Sequence, residues 1–326
     1  MTFFKAGLAA IAGAALIAGA VSAQDVASYP DRPVTLIIPY SPGGGTDILG
    51  RIVAQKLSED WGQPVVVENR DGASGLVGAK TAMQADPDGY TLVMGSTGTL
   101  MSVATDAGIG ANDEFDVNPQ LEPITMIAAP PYLLVVNPSL GVSSVEELIA
   151  KSKEDPSSTR FGSSGVGAAS HLTGALFNEI AGTDMLHVPY KGTGAAVTDL
   201  LSGEITLMFG PAPTLLPHVE DGTLTALAVT TAKPSGLFPD YPTVDAAGVP
   251  GFESVGWFGL FAPSGTPADL IEKINADAQA ALTSDQVKQQ LAQQGAEPDP
   301  MSVEAFTEFV ESDTEKWISL RETVAK

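Results

Sequence analysis

One arrangement recurs along this sequence and leaves few folds open to it. A short β-branched run leads into a loop of glycine and hydroxyl residues, and a helical pattern follows. Its first appearance is LIIPYSPGGGTDILGR, from Leu36 to Arg51. The apolar run Val34 to Ile38 stops at Pro39. Tyr40, Ser41, Pro42, Gly43, Gly44 and Gly45 then form a loop, and helical spacing starts near Thr46 and Asp47. Short strands alternating with helices of about 10–15 residues make parallel βαβ units. In such a unit the loop presents bare backbone N–H groups at the positive end of a helix, a setting suited to an anion. Consecutive glycines also remove the β-carbons that would keep a ligand away from the backbone.

The same device returns further along. Val65 to Glu68 reads as a second strand, and the loop Asn69 to Gly75 leads into a helix over Leu76 to Ala85. The strand Tyr90 to Met94 precedes a second small-residue loop, Gly95-Ser96-Thr97-Gly98-Thr99. Asp106 to Pro119 is acidic and turn-rich, as a surface segment would be. Strands follow at Leu121 to Ala129 and Tyr132 to Val136. Ser143 and Ser144 with Glu146 and Glu147 have the form of an N-cap before a helix. A third loop, Ser163 to Ser170, opens a helix over His171 to Ala181. A fourth, Lys191-Gly192-Thr193-Gly194, follows the strand His187 to Tyr190 and opens a helix over Ala195 to Leu201. Strands at Ile205 to Phe209 and Thr225 to Thr230 precede a Pro-, Gly- and Asp-rich connector, Ala232 to Phe252. Trp257 to Ala262 is a last strand. Amphipathic helices at Pro267 to Thr283, Asp285 to Gln294 and Val303 to Val324 complete the pattern. The expected architecture is α/β with two units and a ligand cleft between them. Residues 24–128 and about 231–326 form one unit, and about 129–230 the other.

The N-terminus reads as an export signal spanning residues 1–23. Lys5 supplies the positive start, Ala6 to Ala20 the apolar stretch, and Val21-Ser22-Ala23 the small residues before cleavage at Gln24. The apolar run of about 15 residues falls short of the roughly 20 that span a bilayer. The chain has no cysteine, which excludes a lipid anchor on a mature N-terminal cysteine, disulfides and thiolate metal sites. A bacterial periplasm is the expected location. With 39 Asp and Glu against 16 Lys and Arg, attraction to nucleic acid or anionic lipid is excluded as a role. The histidines, His171, His187 and His218, lack metal-ligand spacing, and neither metal nor cofactor is expected.

The loops also exclude nucleotides. A P-loop closes on Gly-Lys-Ser/Thr, whereas Gly45-Thr46-Asp47 stands here. No G-x-G-x-x-G is present, and Asp47 would repel a pyrophosphate. Hydroxyl-rich loops that end in helices suit one or two carboxylates, which neutral N–H and O–H donors can hold. Asp47, at a helix start, is expected to cap backbone N–H groups. Tyr40 and Tyr190 stand beside glycine loops as candidate pocket walls, and Lys191 is a cation next to one. A serine hydrolase using Ser164 and His171 is an alternative, although no G-x-S-x-G elbow surrounds the serine.

Several blocks resemble one family. Tyr29-Pro30-x-Arg32-Pro33-Val34, Ile37-Ile38-Pro39-Tyr40-x-Pro42-Gly43-Gly44-Gly45-Thr46-Asp47 and Val65-Val66-Val67-Glu68-Asn69-Arg70-x-Gly72-Ala73-x-Gly75 are similar to the N-terminal part of the Bug family. These are the TctC-like extracytoplasmic receptors of tripartite tricarboxylate transporters. Asp86-Pro87-Asp88-Gly89-Tyr90-Thr91-Leu92, Phe161-Gly162-Ser163-Ser164-Gly165-x-Gly167, Ser170-His171-Leu172, Val188-Pro189-Tyr190-Lys191-Gly192 and Trp257-x-Gly259-Leu260-Phe261-Ala262-Pro263 extend the resemblance over the mature chain. It implies a type II periplasmic-binding fold whose two domains close on a small mono- or dicarboxylate. The implied partners are membrane transporter subunits, with the receptor itself a monomer; a sensor subunit for a membrane kinase is the alternative use of such a pocket. The implied ligand residues are Tyr40, Ser41, Gly43, Gly44, Gly45, Thr46 and Asp47 in the first loop and Ser96 and Thr97 in the second. Ser163, Ser164, Gly165, Gly167 and Ser170 follow in the third, and Tyr190, Lys191, Gly192 and Thr193 in the fourth. The sequence departs from the family at Thr206, where many relatives carry Asp. It departs again at Phe209-Gly210-Pro211-Ala212, where Phe209 is expected to alter the distal pocket.

Overall fold

A computed structural model describes residues 26–108 and 116–324. The expected export signal, 1–23, lies outside the described residues, as does the middle of the acidic segment between 106 and 119. The first run of the chain is β1 (Val34–Ile38), α1 (Gly45–Trp61), β2 (Val65–Asn69), α2 (Leu76–Met83), β3 (Thr91–Ser96), α3 (Thr97–Asp106) and β4 (Leu121–Ala128). The second is β5 (Tyr132–Val136), α4 (Val145–Glu154), β6 (Arg160–Ser163), α5 (Ala169–Ala181), β7 (Leu186–Pro189), α6 (Thr193–Ser202), β8 (Leu207–Pro211), α7 (Ala212–Glu220) and β9 (Thr225–Val229). A long connector then leads to β10 (Phe258–Pro263), α8 (Ala268–Thr283), α9 (Asp285–Gln293) and α10 (Val303–Val324).

The strands make two five-stranded sheets, ordered β2-β1-β3-β10-β4 and β7-β6-β8-β5-β9. In the first, β1 is parallel to β2 and β3, and β10 runs antiparallel between β3 and β4. The second repeats the scheme, with β6 parallel to β7 and β8 and β5 antiparallel between β8 and β9. Each antiparallel strand is the one entered straight after a crossing between sheets, β4 to β5 and β9 to β10. Each crossing therefore leaves from the edge strand of one sheet and enters the next-to-edge strand of the other. Both sheets are covered on two faces, so β5 and β10 are buried along their whole length and read as unbroken apolar runs.

The structure corrects one reading of local structure from the sequence. Gly95 to Thr99 is not a loop: β3 runs through Ser96, and α3 starts at once with Ser96 as its cap, accepting from the Thr99 N–H. The segment Ala212 to Glu220 is a helix although it contains Pro213 and Pro217. Pro213 falls in the first turn, where a missing N–H costs nothing. The departure at Thr206 is absorbed. Its hydroxyl accepts from the Arg160 N–H at 2.9 Å and donates to the Ser158 carbonyl at 3.0 Å.

Side chains from the two units also pack together. Ala169 and Leu172 of α5 join the core built around Trp257, Phe261, Phe306 and Trp317. The Ser41 N–H donates to the Lys191 carbonyl at 3.3 Å, and the Ser74 hydroxyl donates to the Val166 carbonyl at 2.8 Å. The loops Ser41–Gly44 and Gly192–Gly194 interlock so tightly that a β-carbon at Gly194 would lie 2.3 Å from the Pro42 carbonyl oxygen.

Candidate functional site

Helices α1, α5 and α6 begin on Gly44, Ala168 and Gly192, and none receives a side-chain cap. Their first helical bonds run from Ile48, Leu172 and Ala196 back to the carbonyls of those three residues. The amides before them, at Gly45–Asp47, Ala169–His171 and Thr193–Ala195, have no carbonyl within their own helix to receive them. The ends of these helices meet. Gly45, Thr46, Ala169 and Thr193 line one cavity, together with Tyr40, Ser96, Gly98, Tyr132, Ser164, Pro211 and Phe258. Gly98 lies in the first turn of α3, and Pro211 is the cap residue of α7. Five helix starts thus face one space between the two sheets.

The wall contains no carboxylate, ammonium, guanidinium or imidazole. Its polarity comes from amides, hydroxyls and two phenols. The aligned dipoles of three uncapped helices favour an anion there by about 1–3 kcal/mol together. Neutral donors do this without the counter-ion that a charged residue brings. As described, the cavity measures about 20 Å³, room for about one water. Any larger guest requires the two units to part.

The residues behind the wall hold it in shape. Tyr40 is buried; its hydroxyl donates to the Ser74 carbonyl at 2.9 Å and accepts from Thr99 Oγ1 at 3.4 Å. Burial pushes its ionisation up, so it stays a neutral donor. Tyr132 is likewise pushed up by burial, and among the described residues no hydrogen bond engages its hydroxyl. Ser164 takes its place through Ser170: its N–H donates to Ser170 Oγ at 3.0 Å, and the two hydroxyls are 3.1 Å apart.

Asp47 is where the structure revises the sequence reading most. Its carboxylate does not cap α1. Oδ2 accepts from the Gly43 N–H at 3.0 Å, while Oδ1 accepts from Arg51 Nε and Asn69 Nδ2, each at 2.9 Å. Burial alone would raise its pKa; Arg51, Gly43 and Asn69 outweigh that and hold it below the ordinary carboxylate range. Asp47 thus fastens the turn from beneath and leaves the amides of Gly45 and Thr46 open. The Gly43 amide, expected at the ligand, is committed to Asp47 instead.

Of the other expected ligand residues, Tyr40, Gly45, Thr46, Ser96, Ser164 and Thr193 line the cavity. Ser41, Gly44 and Gly192 form the interlock between the units. Thr97 accepts the Trp257 N–H at 3.3 Å, and Ser163 meets His187 Nε2 at 2.6 Å. Gly165, Gly167, Tyr190 and Lys191 line a separate outer groove of about 530 Å³. Tyr190 is no cavity wall: its hydroxyl donates to Asp199 at 2.7 Å. Phe209 is no pocket residue either, because it is fully buried against Phe177 and Phe252. On β8, Leu207 and Phe209 enter one core while Met208 enters the other. The contacts of Ser164 and His171 do not form the hydrolytic pair of the alternative reading. Ser164 bonds to Ser170, and His171 Nδ1 accepts from the Gly167 N–H at 3.1 Å. No group of metal-ligating residues exists among the described residues.

Sequence reasoning did not single out Gly98, Tyr132, Ala169, Pro211 or Phe258. Tyr132 and Phe258 open the two strands that follow the crossings, so a crossing strand was the available signal. Pro211 was noticed only as a departure from the family pattern.

Comparison with known proteins agrees with this geometry. Residues 49–325 match the tripartite tricarboxylate transporter family receptor. The protein BugT of Bordetella pertussis is 36% identical over 311 residues, 95% of this chain and 94% of BugT. A solved Rhodopseudomonas palustris protein with adipate has a TM-score of 0.83 at 35% identity, covering 91% of this chain and 98% of that one. MatC from Rhodopseudomonas palustris, with bound malate, has a TM-score of 0.81 at 28% identity, covering 90% and 100%. The fold is that of the two-domain periplasmic binding proteins. With uncapped helix starts facing a cleft between two like sheets, and with that match over most of its length, this chain belongs to the tripartite tricarboxylate transporter receptor family, the Bug or TctC-like proteins.

Proposed function

We propose that this chain is a periplasmic solute-binding protein that captures a small mono- or dicarboxylate and delivers it to the membrane subunits of a tripartite tricarboxylate transporter. The observation that carries the reading is the convergence of the uncapped starts of α1, α5 and α6 on a cavity without charged side chains. Such a wall attracts a carboxylate, offers it several donors at once, and supplies no nucleophile–base pair to transform it. The bound adipate and malate of the two solved relatives support the same ligand class.

On this reading residues 1–23 direct export and are removed. Residues 24–128 and about 231–326 form one domain, and about 129–230 the other. The crossings at Ala129–Pro131 and in the stretch before Trp257 are the hinge, and the protein acts as a monomer. Because the cavity is water-sized, capture begins from a more open arrangement and ends with the Ser41–Lys191 and Ser74–Val166 bonds in place.

Isothermal titration of the mature protein against a panel of mono- and dicarboxylates, adipate and malate among them, tests the proposal. Saturable binding of at least one, with a raised melting temperature at saturation, is the expected result. A folded protein that takes up none of them contradicts the reading.

A further inference from the structure

Beneath the third loop lies a pair of histidines that the carboxylate site does not use. The rings of His171 on α5 and His187 on β7 are 4.0 Å apart, and both stack on Phe161 of β6. Each holds one side of the turn Gly165-Val166-Gly167. His171 Nδ1 accepts the Gly167 N–H at 3.1 Å, so that nitrogen carries no proton. His187 Nε2 lies 2.6 Å from Ser163 Oγ, which accepts the Gly165 N–H at 3.1 Å. Between these braced glycines, the Val166 carbonyl receives the Ser74 hydroxyl from the other unit. Ser74 itself sits in the left-handed region at φ 54°, next to Ala73 at φ 45°. Two successive non-glycine residues there store strain that the cross-unit contact must offset.

We infer that His171 and His187 are positioning residues that make closure of the cleft sensitive to acid. Neutral, they hold the turn so that Val166 meets Ser74; protonated, His171 can no longer accept the Gly167 N–H, and two imidazolium charges stand 4.0 Å apart. The turn then loses its shape and the units part.

The surroundings suit such a device. Burial pushes both histidines below the ordinary range, and the neighbouring ring helps push His187 down to about 4. No charged side chain offsets this. Arg160 on β6 is turned to the carbonyls of Gly203 and Glu204, and the 163–170 turn carries no charge. Glu179 on α5, Asp184 before β7 and Lys191 after it are exposed, and none of them, nor Asp106 across the outer groove, shifts either ring.

The inference rests on the closing-receptor reading but is tested without any carboxylate, so the two can fail separately. Since the chain has no native cysteine, spin labels at Glu59→Cys and Glu154→Cys report the distance between the units. Imidazole NMR of the same protein reports protonation. As pH falls from neutral through about 4, the range in which His187 takes up its proton, a longer distance should gain several-fold in population, following the imidazole titration. His171→Gln with His187→Gln keeps an acceptor for the Gly167 N–H but cannot titrate, so the short distance should persist. Circular dichroism confirms that this variant is folded. Ser74→Ala should be more open at every pH. The inference is overturned if the wild-type distance stays constant while the imidazoles protonate, or if the folded double variant opens at the wild-type pH.

Discussion

Replacing Asp47 with alanine tests the idea that a buried carboxylate fastens the first loop from below. The change removes acceptors for the Gly43 N–H, Asn69 Nδ2 and Arg51 Nε. The Arg51 side chain is half exposed, so water replaces that contact at little cost. The bonds from the Gly43 amide and the Asn69 side chain to Asp47 are part-buried, and each is a charge-assisted bond lost. Asn69 keeps its second bond, to the Tyr40 carbonyl at 3.0 Å. Allowing about 1–2 kcal/mol for each of the two groups gives a loss of about 2–4 kcal/mol, read as a lower urea midpoint at an unchanged slope. Acid provides a second reading. The folded-state pKa of Asp47 lies below its unfolded value, so its contribution is complete above the unfolded value. It disappears as pH falls through the folded one. Wild type should therefore lose its advantage over Asp47→Ala only in strong acid, below about pH 4. Equal urea midpoints for the two proteins at neutral pH would refute the reasoning.

Further expectations concern the site and its correction. Ala168→Ser supplies the missing cap to α5 and should raise stability by about 1 kcal/mol; by engaging an amide that faces the cavity, it should weaken carboxylate binding several-fold in titration calorimetry. Phe209→Ala empties a space beside Phe177 and Phe252 and should cost about 3–5 kcal/mol in denaturant unfolding. Carboxylate affinity should be retained at a temperature where the variant is folded, because the side chain lies in the core. Gly194→Ala places a β-carbon 2.3 Å from the Pro42 carbonyl oxygen, so small-angle scattering with saturating ligand should show a protein that no longer closes fully.

Much of the fold was legible because its signals are local. The run Val34–Ile38, the glycines after it and the apolar spacing of Ile48, Ile52, Val53 and Leu57 lie within one βα unit, and the structure places β1 and α1 there. The small residues of Gly95–Thr99 misled, since a loop and a helix start use the same amino acids. Only Ser96 reaching the Thr99 N–H decides for the helix. The candidate site divides the same way. Gly45, Thr46 and Thr193 were legible because a helix start is written in sequence, while Tyr132 and Phe258 arrive from strands that cross between the sheets. Phe209 shows the converse: the departure from the family pattern at Phe209-Gly210-Pro211-Ala212 suggested the pocket, but strand alternation turned its ring into the core. The role of Asp47 depends on Gly43, Arg51 and Asn69 meeting at one carboxylate, and no spacing rule contains Asn69.

The central claim is that uncapped helix starts, rather than charged side chains, hold the carboxylate. Amide nitrogen–proton NMR during titration with a carboxylate that binds in calorimetry tests it most directly. The account predicts the largest downfield shifts at Gly45, Thr46, Ala169, Ser170, Thr193 and Gly194, with Gly43 changing little because Asp47 already holds it. Shifts centred instead on the outer groove around Val166 and Lys191, with the helix starts unmoved, would contradict it.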